Sequence, residues 1–204
     1  LSDEEKARRE RQRLAGLSGI VEYQWADDGK QLMFPLNGAI YLYRLDARLD
    51  AERVRQITRP EDGFATDPKF SPKGGYVSFV REQDIYVVDL KDAAIRALTT
   101  DGAGTVSNGM AEFIAQEEMD RDTGYWWAPD DSAIAYARID EAPVSIERRF
   151  EIYADRTAVI EQRYPAAGKA NVLIDVYVRG LAADAQPVKM DLGKERDIYV
   201  ARVD

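Results

Sequence analysis

Two adjacent glutamates stand just ahead of the most aromatic part of the chain. The segment from Ala111 to Asp130 reads "AEFIAQEEMDRDTGYWWAPD" and contains Glu117 and Glu118. Two neighbouring carboxylates can accept charge-assisted hydrogen bonds from a cation, and such bonds are roughly twice as strong as neutral ones. A solvent-exposed acidic helix is the simpler interpretation, because a chain this acidic produces glutamate pairs by chance. Composition alone leaves both interpretations open.

The residue types that are absent restrict the chemistry. The chain has no histidine, so neither a Ser-His-Asp triad nor an HExxH zinc site can be completed within these 204 residues. It also has no Gly-x-Ser-x-Gly motif and no cysteine, which removes a thiolate nucleophile, a disulfide and a cysteine zinc site. We therefore expect no catalytic residue and no metal site in this chain.

The charge balance indicates which partners fit. Asp and Glu number 37 against 28 Lys and Arg, for a formal charge of -9. Nonspecific nucleic-acid binding depends on clustered positive charge, so we expect cationic partners and no nucleic acid. The sequence contains neither an apolar run long enough to span a membrane nor the apolar core of an export signal.

The first 18 residues predict a polar helical arm. Ser2 and Glu5 have the spacing of a capping box, which marks the start of a helix. The helix carries an arginine-rich stretch, for which a solvated face is the expected arrangement. Its arginines are Arg8, Arg9, Arg11 and Arg13.

An internal repeat organises the rest of the chain. The segments "WADDGKQLMF" from Trp25, "FSPKGGYVSFV" from Phe70 and "WAPDDSAIAYARI" from Trp127 each consist of an aromatic residue, a polar turn and an alternating strand. In the first two units a second strand, "IYLYRLD" or "IYVVDL", begins 15 residues after the aromatic residue. Closing strands follow at "RQIT" and "RALT".

A unit of about 45 residues with four strands is the size of one β-propeller blade. Such a blade buries both of its faces only by stacking on neighbours. We therefore predict an all-β fold for residues 19–204, a partial propeller of about three to four blades, in which Trp25, Phe70 and Trp127 pack between blades. The terminal "DIYVARVD" is expected to open another blade. A β-sandwich does not explain the 15-residue offset, and the WD40 signature is absent.

The third unit contains an insertion. Between "LTTDG" and "YWWAPD", Met110, Phe113, Ile114 and Glu117 follow helical spacing, which predicts a short helix projecting from a blade. From about Gly19 onward the chain resembles the N-terminal propeller of the dipeptidyl peptidase IV family, within the prolyl oligopeptidase group of serine peptidases. The resemblance depends on the order of four elements: Glu117-Glu118, Tyr125-Trp126-Trp127, Asp140-Glu141 and Tyr164-Pro165-Ala166.

The resemblance implies a function for the glutamate pair. In this family an eight-bladed propeller sits over a C-terminal α/β-hydrolase domain that supplies the Ser-Asp-His triad. A double glutamate on a protruding helix binds the free N-terminal ammonium of the peptide, and in this sequence those residues are Glu117 and Glu118. The implied parent enzyme releases X-Pro or X-Ala dipeptides, needs no cofactor and often forms a homodimer. This chain alone is expected to be inert.

One departure from the family concerns an arginine that helps to hold the substrate. The family commonly places it in an extended excursion between early strands, but "LMFPLNGAIYLY" makes only a short turn there. An arginine of the N-terminal helix is the expected substitute, with Arg9 and Arg13 as the candidates.

Two other functions remain open at this stage. A noncatalytic, TolB-like propeller that binds a protein partner would show the same aromatic-turn repeats, although it gives no reason for the glutamate helix. A prolyl oligopeptidase or acylaminoacyl peptidase propeller would have no need to bind a free ammonium. The absence of cysteine fits a bacterial periplasmic or other extracytoplasmic location, with the cytoplasm as the alternative.

Overall fold

The computed structural model describes residues 1–203 of the chain. The predicted N-terminal helix is present as α1 (Asp3–Arg11), and the Ser2 side chain accepts a hydrogen bond from the Glu5 amide at 3.2 Å, as an N-cap does. It is shorter than the 18-residue arm predicted from the sequence. None of the helices in this described part is long and apolar enough to cross a membrane.

The repeats fold as antiparallel sheets in chain order, which confirms the predicted partial propeller. The strands of the first sheet are β1 (Gln24–Trp25), β2 (Gln31–Leu36), β3 (Ala39–Arg44) and β4 (Val54–Gln56). Those of the second are β5 (Thr66–Phe70), β6 (Tyr76–Arg81), β7 (Asp84–Asp89) and β8 (Ile95–Ala97). Short 3-10 helices lie at Asp50–Glu52 and Pro60–Asp62.

The third unit is longer than the others. It contains β9 (Val106–Asn108), the helix α2 (Phe113–Glu118), β10 (Tyr125–Trp127), β11 (Ala133–Asp140), β12 (Ile146–Ile152), β13 (Thr157–Arg163), β14 (Leu173–Gly180) and β15 (Val188–Lys189). Its main sheet has the order β10-β11-β14-β15. In sequence, β12 and β13 lie between the paired strands β11 and β14 and form a separate two-stranded ribbon. The ribbon was not predicted from the sequence.

Alternation along the strands explains how the sheets stack. In β6, Val77 and Phe79 join the apolar cluster shared with the first sheet, whereas Val80 joins the cluster shared with the third. Successive side chains of a strand point to opposite faces, so a central blade can bury both. A third cluster, around Ile139 and Ile174, lies on the far face of the third sheet.

The repeated threonines have equivalent contacts in the first two sheets. The Thr58 hydroxyl accepts a hydrogen bond from the Ile40 amide at 2.8 Å, and the Thr99 hydroxyl accepts one from the Ile85 amide at 2.9 Å. The two closing segments, "RQIT" and "RALT", therefore anchor the same point of their blades, which confirms the internal repeat as a structural one.

The aromatic residues that open the repeats differ in their surroundings. Phe70 is buried between the first and second sheets, and the Trp127 indole stacks on Tyr76 and donates to the Ser78 hydroxyl at 2.8 Å. Both therefore pack between blades as predicted. Trp25 is 47% exposed, because no other sheet in the described residues covers its face, so the prediction for Trp25 is wrong.

The described part of the C-terminal segment does not form the predicted strand of another blade. Residues 197–203 of the predicted opening strand "DIYVARVD" form no strand, and Asp204 lies outside the described residues. The segment instead runs along the third sheet, where Val200 packs against the cluster around Ile139.

Candidate functional site

The glutamate pair lies on a helix that interrupts one strand of the third sheet. Strands β9 and β10 both pair with β11, at its two ends, so they form one inner strand split by the insertion. At the split, the Gly124 amide donates to the Gly109 carbonyl at 3.2 Å, and Gly109 has a φ of 77° that favours glycine. The chain leaves and rejoins the strand at one point, so α2 protrudes from the sheet.

Both glutamates are accessible on α2, at its C-terminal end. The Glu117 side chain is 22% exposed, and Glu118 is exposed. The predicted short helix carrying these residues is therefore confirmed as a structural element, and its carboxylates are open to a ligand.

Arg13 reaches the pair from the other end of the sequence. Its Nη2 lies 3.3 Å from the Glu117 Oε2. Arg13 follows α1 in the left-handed region with a φ of 62°, and its amide donates to the Glu10 carbonyl while the Leu14 amide donates to the Arg9 carbonyl. These two bonds form a Schellman motif, whose left-handed position is usually glycine. The turn directs an arginine towards α2 at the cost of a disfavoured backbone conformation.

Arg9, the second candidate, belongs to a buried cluster instead. Its Nε donates to the Glu5 Oε1 at 2.5 Å. Arg8 also contacts Glu5, and it forms two hydrogen bonds with the carboxylate of Glu22, at 3.1 and 2.5 Å. Glu5, only 2% exposed, additionally accepts from the Thr66 hydroxyl of β5. The expected solvated face is therefore wrong for Arg8 and Arg9, because complementary charges accompany them into the interface.

Electrostatics within this cluster oppose the cost of burial. Burial acts to lower the pKa of Arg8, but the hydrogen bond to Glu22 and the negative charge of Asp67 raise it above its ordinary value. For the neighbouring residues Lys69 and Asp67 on β5, burial is the larger effect: it lowers the pKa of Lys69 and raises that of Asp67, and the opposite charge of each partner offsets only part of the shift. The cluster fixes α1 on the second sheet, and the position of α1 in turn fixes where its last residues meet α2.

Arg11 is the arginine that sequence reasoning missed. Its guanidinium carbon lies 5.0 Å from the ring centroid of Phe113 on α2, a cation–π contact. No hydrogen bond or ion pair satisfies this guanidinium in the part of the chain that the structure describes. Burial lowers the pKa of Arg11, although the charges of Glu141 and Glu117 act against that effect. No sequence signal singled it out, because arginines occupy several successive positions of α1.

Two other elements of the sequence pattern meet at α2. Tyr164 packs edge-on against Phe113, with ring centroids 5.1 Å apart. Burial raises the pKa of Glu141, while the positive charges of Arg11 and Arg163 partly offset the effect. Residues far apart in sequence, Arg11 and Tyr164, thus both contact Phe113 of the helix that carries the glutamate pair.

This arrangement can bind a ligand that carries both a positive charge and hydrogen-bond acceptors. The two carboxylates can accept hydrogen bonds from an ammonium group, and the Arg11 guanidinium can donate to a carbonyl or carboxylate oxygen. In residues 1–203, no group of three or more acidic side chains is arranged to hold a metal ion.

The sequence model of the dipeptidyl peptidase IV N-terminal region matches residues 23–204. The chain belongs to this family. Human dipeptidyl peptidase 8 is 26% identical over 208 residues, which cover 91% of this chain and 23% of that protein. The rat protein named inactive dipeptidyl peptidase 10 is 26% identical over 152 residues, covering 70% of this chain and 19% of that protein.

A solved structure supports the fold independently. The crystal structure of Porphyromonas gingivalis dipeptidyl peptidase 4 superposes with a TM-score of 0.75 at 24% identity, covering 95% of this chain and 28% of that one. The chain therefore spans less than a third of the length of these relatives.

Proposed function

We propose that this chain is the part of a serine exopeptidase that restricts access and binds the substrate's N-terminus. The parent enzyme would release X-Pro or X-Ala dipeptides from peptides with a free amino end. The observation that carries the proposal is the protruding helix α2, whose Glu117 and Glu118 are accessible and face an arginine-bearing end of α1.

The geometry supports a role for Glu117, Glu118 and Arg11 in positioning the amino end of the substrate. The peptide ammonium would take the place of the Arg13 guanidinium at Glu117 and would also bond to Glu118. Arg11, which lacks a hydrogen-bond acceptor, would donate to a backbone carbonyl of the bound dipeptide. Holding the amino end at a fixed distance from the nucleophile limits cleavage to the second peptide bond, because proximity and orientation supply much of the rate.

The remaining chemistry would reside elsewhere in the parent protein. A C-terminal α/β-hydrolase domain would supply the Ser-Asp-His triad, since this chain has no histidine. In this proposal residues 1–18 are an arm and residues 19–204 are part of the propeller. Homodimer formation and a bacterial periplasmic or other extracytoplasmic location belong to the same proposal, and light scattering and cell fractionation of the full-length protein test them.

Product analysis tests the proposed activity directly. The full-length protein would be incubated with an X-Pro peptide and with its N-acetylated form, and the products identified by mass spectrometry. We expect dipeptide release from the free-amine peptide and none from the acetylated one. Release from both peptides, or internal cleavage, would contradict the proposal and favour an endopeptidase or acylaminoacyl peptidase.

A noncatalytic binding propeller is the second candidate. The relative named inactive dipeptidyl peptidase 10 has the same 26% identity to this chain as human dipeptidyl peptidase 8, over 70% rather than 91% of the chain. If the full-length protein released no dipeptide from either peptide, the protein-binding function would replace the enzymatic one.

A further inference from the structure

We propose that Glu112 and Arg121 are positioning residues for the Glu117–Glu118 pair. They form a buried ion pair, with the Arg121 Nη2 3.2 Å from the Glu112 Oε1 and side chains that are 6% and 2% exposed. Neither residue touches the proposed ammonium position. The inference rests on the proposed function, because it assigns these residues a role in holding the ammonium-binding carboxylates.

Glu112 fixes the beginning of α2. As the N-cap residue, it accepts a hydrogen bond from the Ala115 amide on its Oε2 at 2.8 Å, while its Oε1 is bound by Arg121. One carboxylate thus satisfies an otherwise unpaired helix amide and a buried guanidinium at the same time.

Arg121 closes the segment from the other side. Its backbone amide donates to the Ala115 carbonyl at 2.9 Å, and its side chain donates to the Val200 carbonyl at 2.9 Å and the Thr123 carbonyl at 2.8 Å. The chain therefore returns after α2 to the same helical turn that Glu112 caps. Glu117 and Glu118, at the C-terminal end of α2, lie between these two fixed points, which limits how far their backbone can move.

Helix α2 needs these tertiary contacts because it is too short to be stable by itself. It contains six residues, far below the about 12–15 that an isolated helix needs for even marginal stability in water. Because misplacement by about 1 Å can cost a catalytic site about 10²-fold, a loosened α2 would hold the substrate poorly. The Glu112–Arg121 ion pair therefore acts on the substrate indirectly, through the position of Glu117 and Glu118.

The test compares Glu112→Gln, Arg121→Met and the double variant with wild type in the full-length protein. Gln at 112 can still accept from the Ala115 amide, but it loses the charge that binds Arg121. We expect kcat/KM for a free-amine X-Pro substrate to fall by about tenfold or more, mainly through KM. The double variant is expected to have a kcat/KM no lower than that of Arg121→Met, because both substitutions remove the same ion pair. Arg121→Lys, which keeps a positive charge, is expected to recover part of the loss.

A second substrate separates positioning from general damage. An analogue lacking the α-amino group cannot use the glutamates, so its kcat/KM should change by less than about threefold, and the preference for the amine should shrink. Arg179→Met is the matched control, since Arg179 donates to the carbonyls of Leu98 and Ala185 without contacting α2. It should leave the preference unchanged.

The outcomes distinguish this inference from the proposed function. If Glu117→Gln and Glu118→Gln reduce the preference for the amine but Glu112→Gln and Arg121→Met do not, the positioning role is wrong and the proposed function stands. If the Glu117 and Glu118 variants also retain the wild-type preference, the proposed function itself fails. An equal loss for both substrates in Arg121→Met would assign the pair a purely structural role.

Discussion

At the scale of single residues, the site depends on where each arginine of α1 finds its partner. Arg8 and Arg9 both pair with the buried Glu5, and Arg8 also pairs with Glu22; Arg13 contacts Glu117, and Arg11 lies over an aromatic ring without a hydrogen-bond acceptor. Four similar residues within six positions thus have three different environments. Only Arg11 and Arg13 are placed to meet a ligand at α2.

Substitution of Arg11 tests that distinction. We expect Arg11→Met, which keeps a long side chain over Phe113, to raise KM for an X-Pro substrate by about tenfold or more in the full-length protein. The reason is the loss of a hydrogen bond from a charged donor, worth about 1.5–3 kcal/mol. Steady-state kinetics provide the measurement. Lys6→Met is the control, because Lys6 pairs with Asp3 on the exposed side of the same helix. Equal KM values for the two variants would contradict the assignment.

The sequence could predict the glutamates but not this arginine. Glu117 and Glu118 occur in an ordered combination of motifs that fits one family. Arg11 is chosen by a tertiary contact between α1 and α2, which lie about a hundred residues apart, and nothing in the helical periodicity of α1 carries that information. The same holds for Glu112 and Arg121, whose pairing depends on the chain folding back after α2.

At the scale of elements, the docking of α1 depends on Glu5. This residue holds Arg8, Arg9 and the Thr66 hydroxyl within one buried cluster. Removing one member of a buried ion pair commonly costs about 3–5 kcal/mol, since the remaining charge is left uncompensated.

We expect Glu5→Gln to release α1 from the second sheet. Hydrogen exchange of residues 3–12, measured by mass spectrometry on the full-length protein, should become markedly faster than in wild type. Glu4→Gln is the neighbouring control, because the Glu4 side chain forms no hydrogen bond or ion pair among the described residues. Unchanged protection in Glu5→Gln would contradict this role of Glu5 in docking α1.

The contact of the C-terminal segment with β14 should depend on pH. Burial alone would raise the pKa of Asp175, but hydrogen bonds from Arg196 and Lys189 outweigh it and hold this pKa below its ordinary value of 3.8. A depressed pKa contributes stability above the unfolded value, and that stability is lost as pH falls through the folded value. We therefore expect full protection near neutral pH and a loss below about pH 4.

Hydrogen exchange corrected for intrinsic rates measures this effect. Protection in residues 188–196 should fall between pH 6 and pH 3 in wild type and change less in Asp175→Asn, which cannot titrate. An identical pH dependence in the two proteins would contradict the assignment to Asp175.

The sequence predicted the elements of the first two blades better than those of the third. Strands with strict alternation and a fixed offset left little ambiguity there. In the third unit, the ribbon of β12 and β13 separates β11 from its partner β14, and local pattern carries no information about which distant strand pairs with which. The blade count of three to four was correct, although the segment expected to open another blade forms no strand in residues 197–203.

At the scale of the whole molecule, the sheets are joined by polar links as well as by apolar clusters. The buried Asp131 of the third sheet accepts hydrogen bonds from the Ser71 hydroxyl at 2.6 Å and the Lys73 amide at 2.8 Å, both in a turn of the second sheet. This carboxylate fixes the relative position of two adjacent blades.

Removal of that link should weaken the propeller as a unit. We expect Asp131→Ala to lower the melting temperature of the full-length protein, because each buried group left without a partner costs about 1–3 kcal/mol. The adjacent Asp130→Ala is the control, since Asp130 is exposed and accepts from Ser132 within its own turn. Equal melting temperatures for the two variants would show that apolar stacking alone determines the arrangement of blades.

The proposed function is tested most directly by the kinetics of the glutamate variants. In the full-length protein, kcat/KM for an X-Pro chromogenic substrate would be measured for Glu117→Gln, Glu118→Gln and the double variant. Asp120→Asn serves as the control for loss of an exposed acidic group nearby. With two charge-assisted hydrogen bonds removed, we predict a loss of about 10²-fold or more in the double variant and little change in the control. Wild-type kinetics in the double variant would contradict the proposal and leave Glu117 and Glu118 as solvent-exposed residues of an acidic helix.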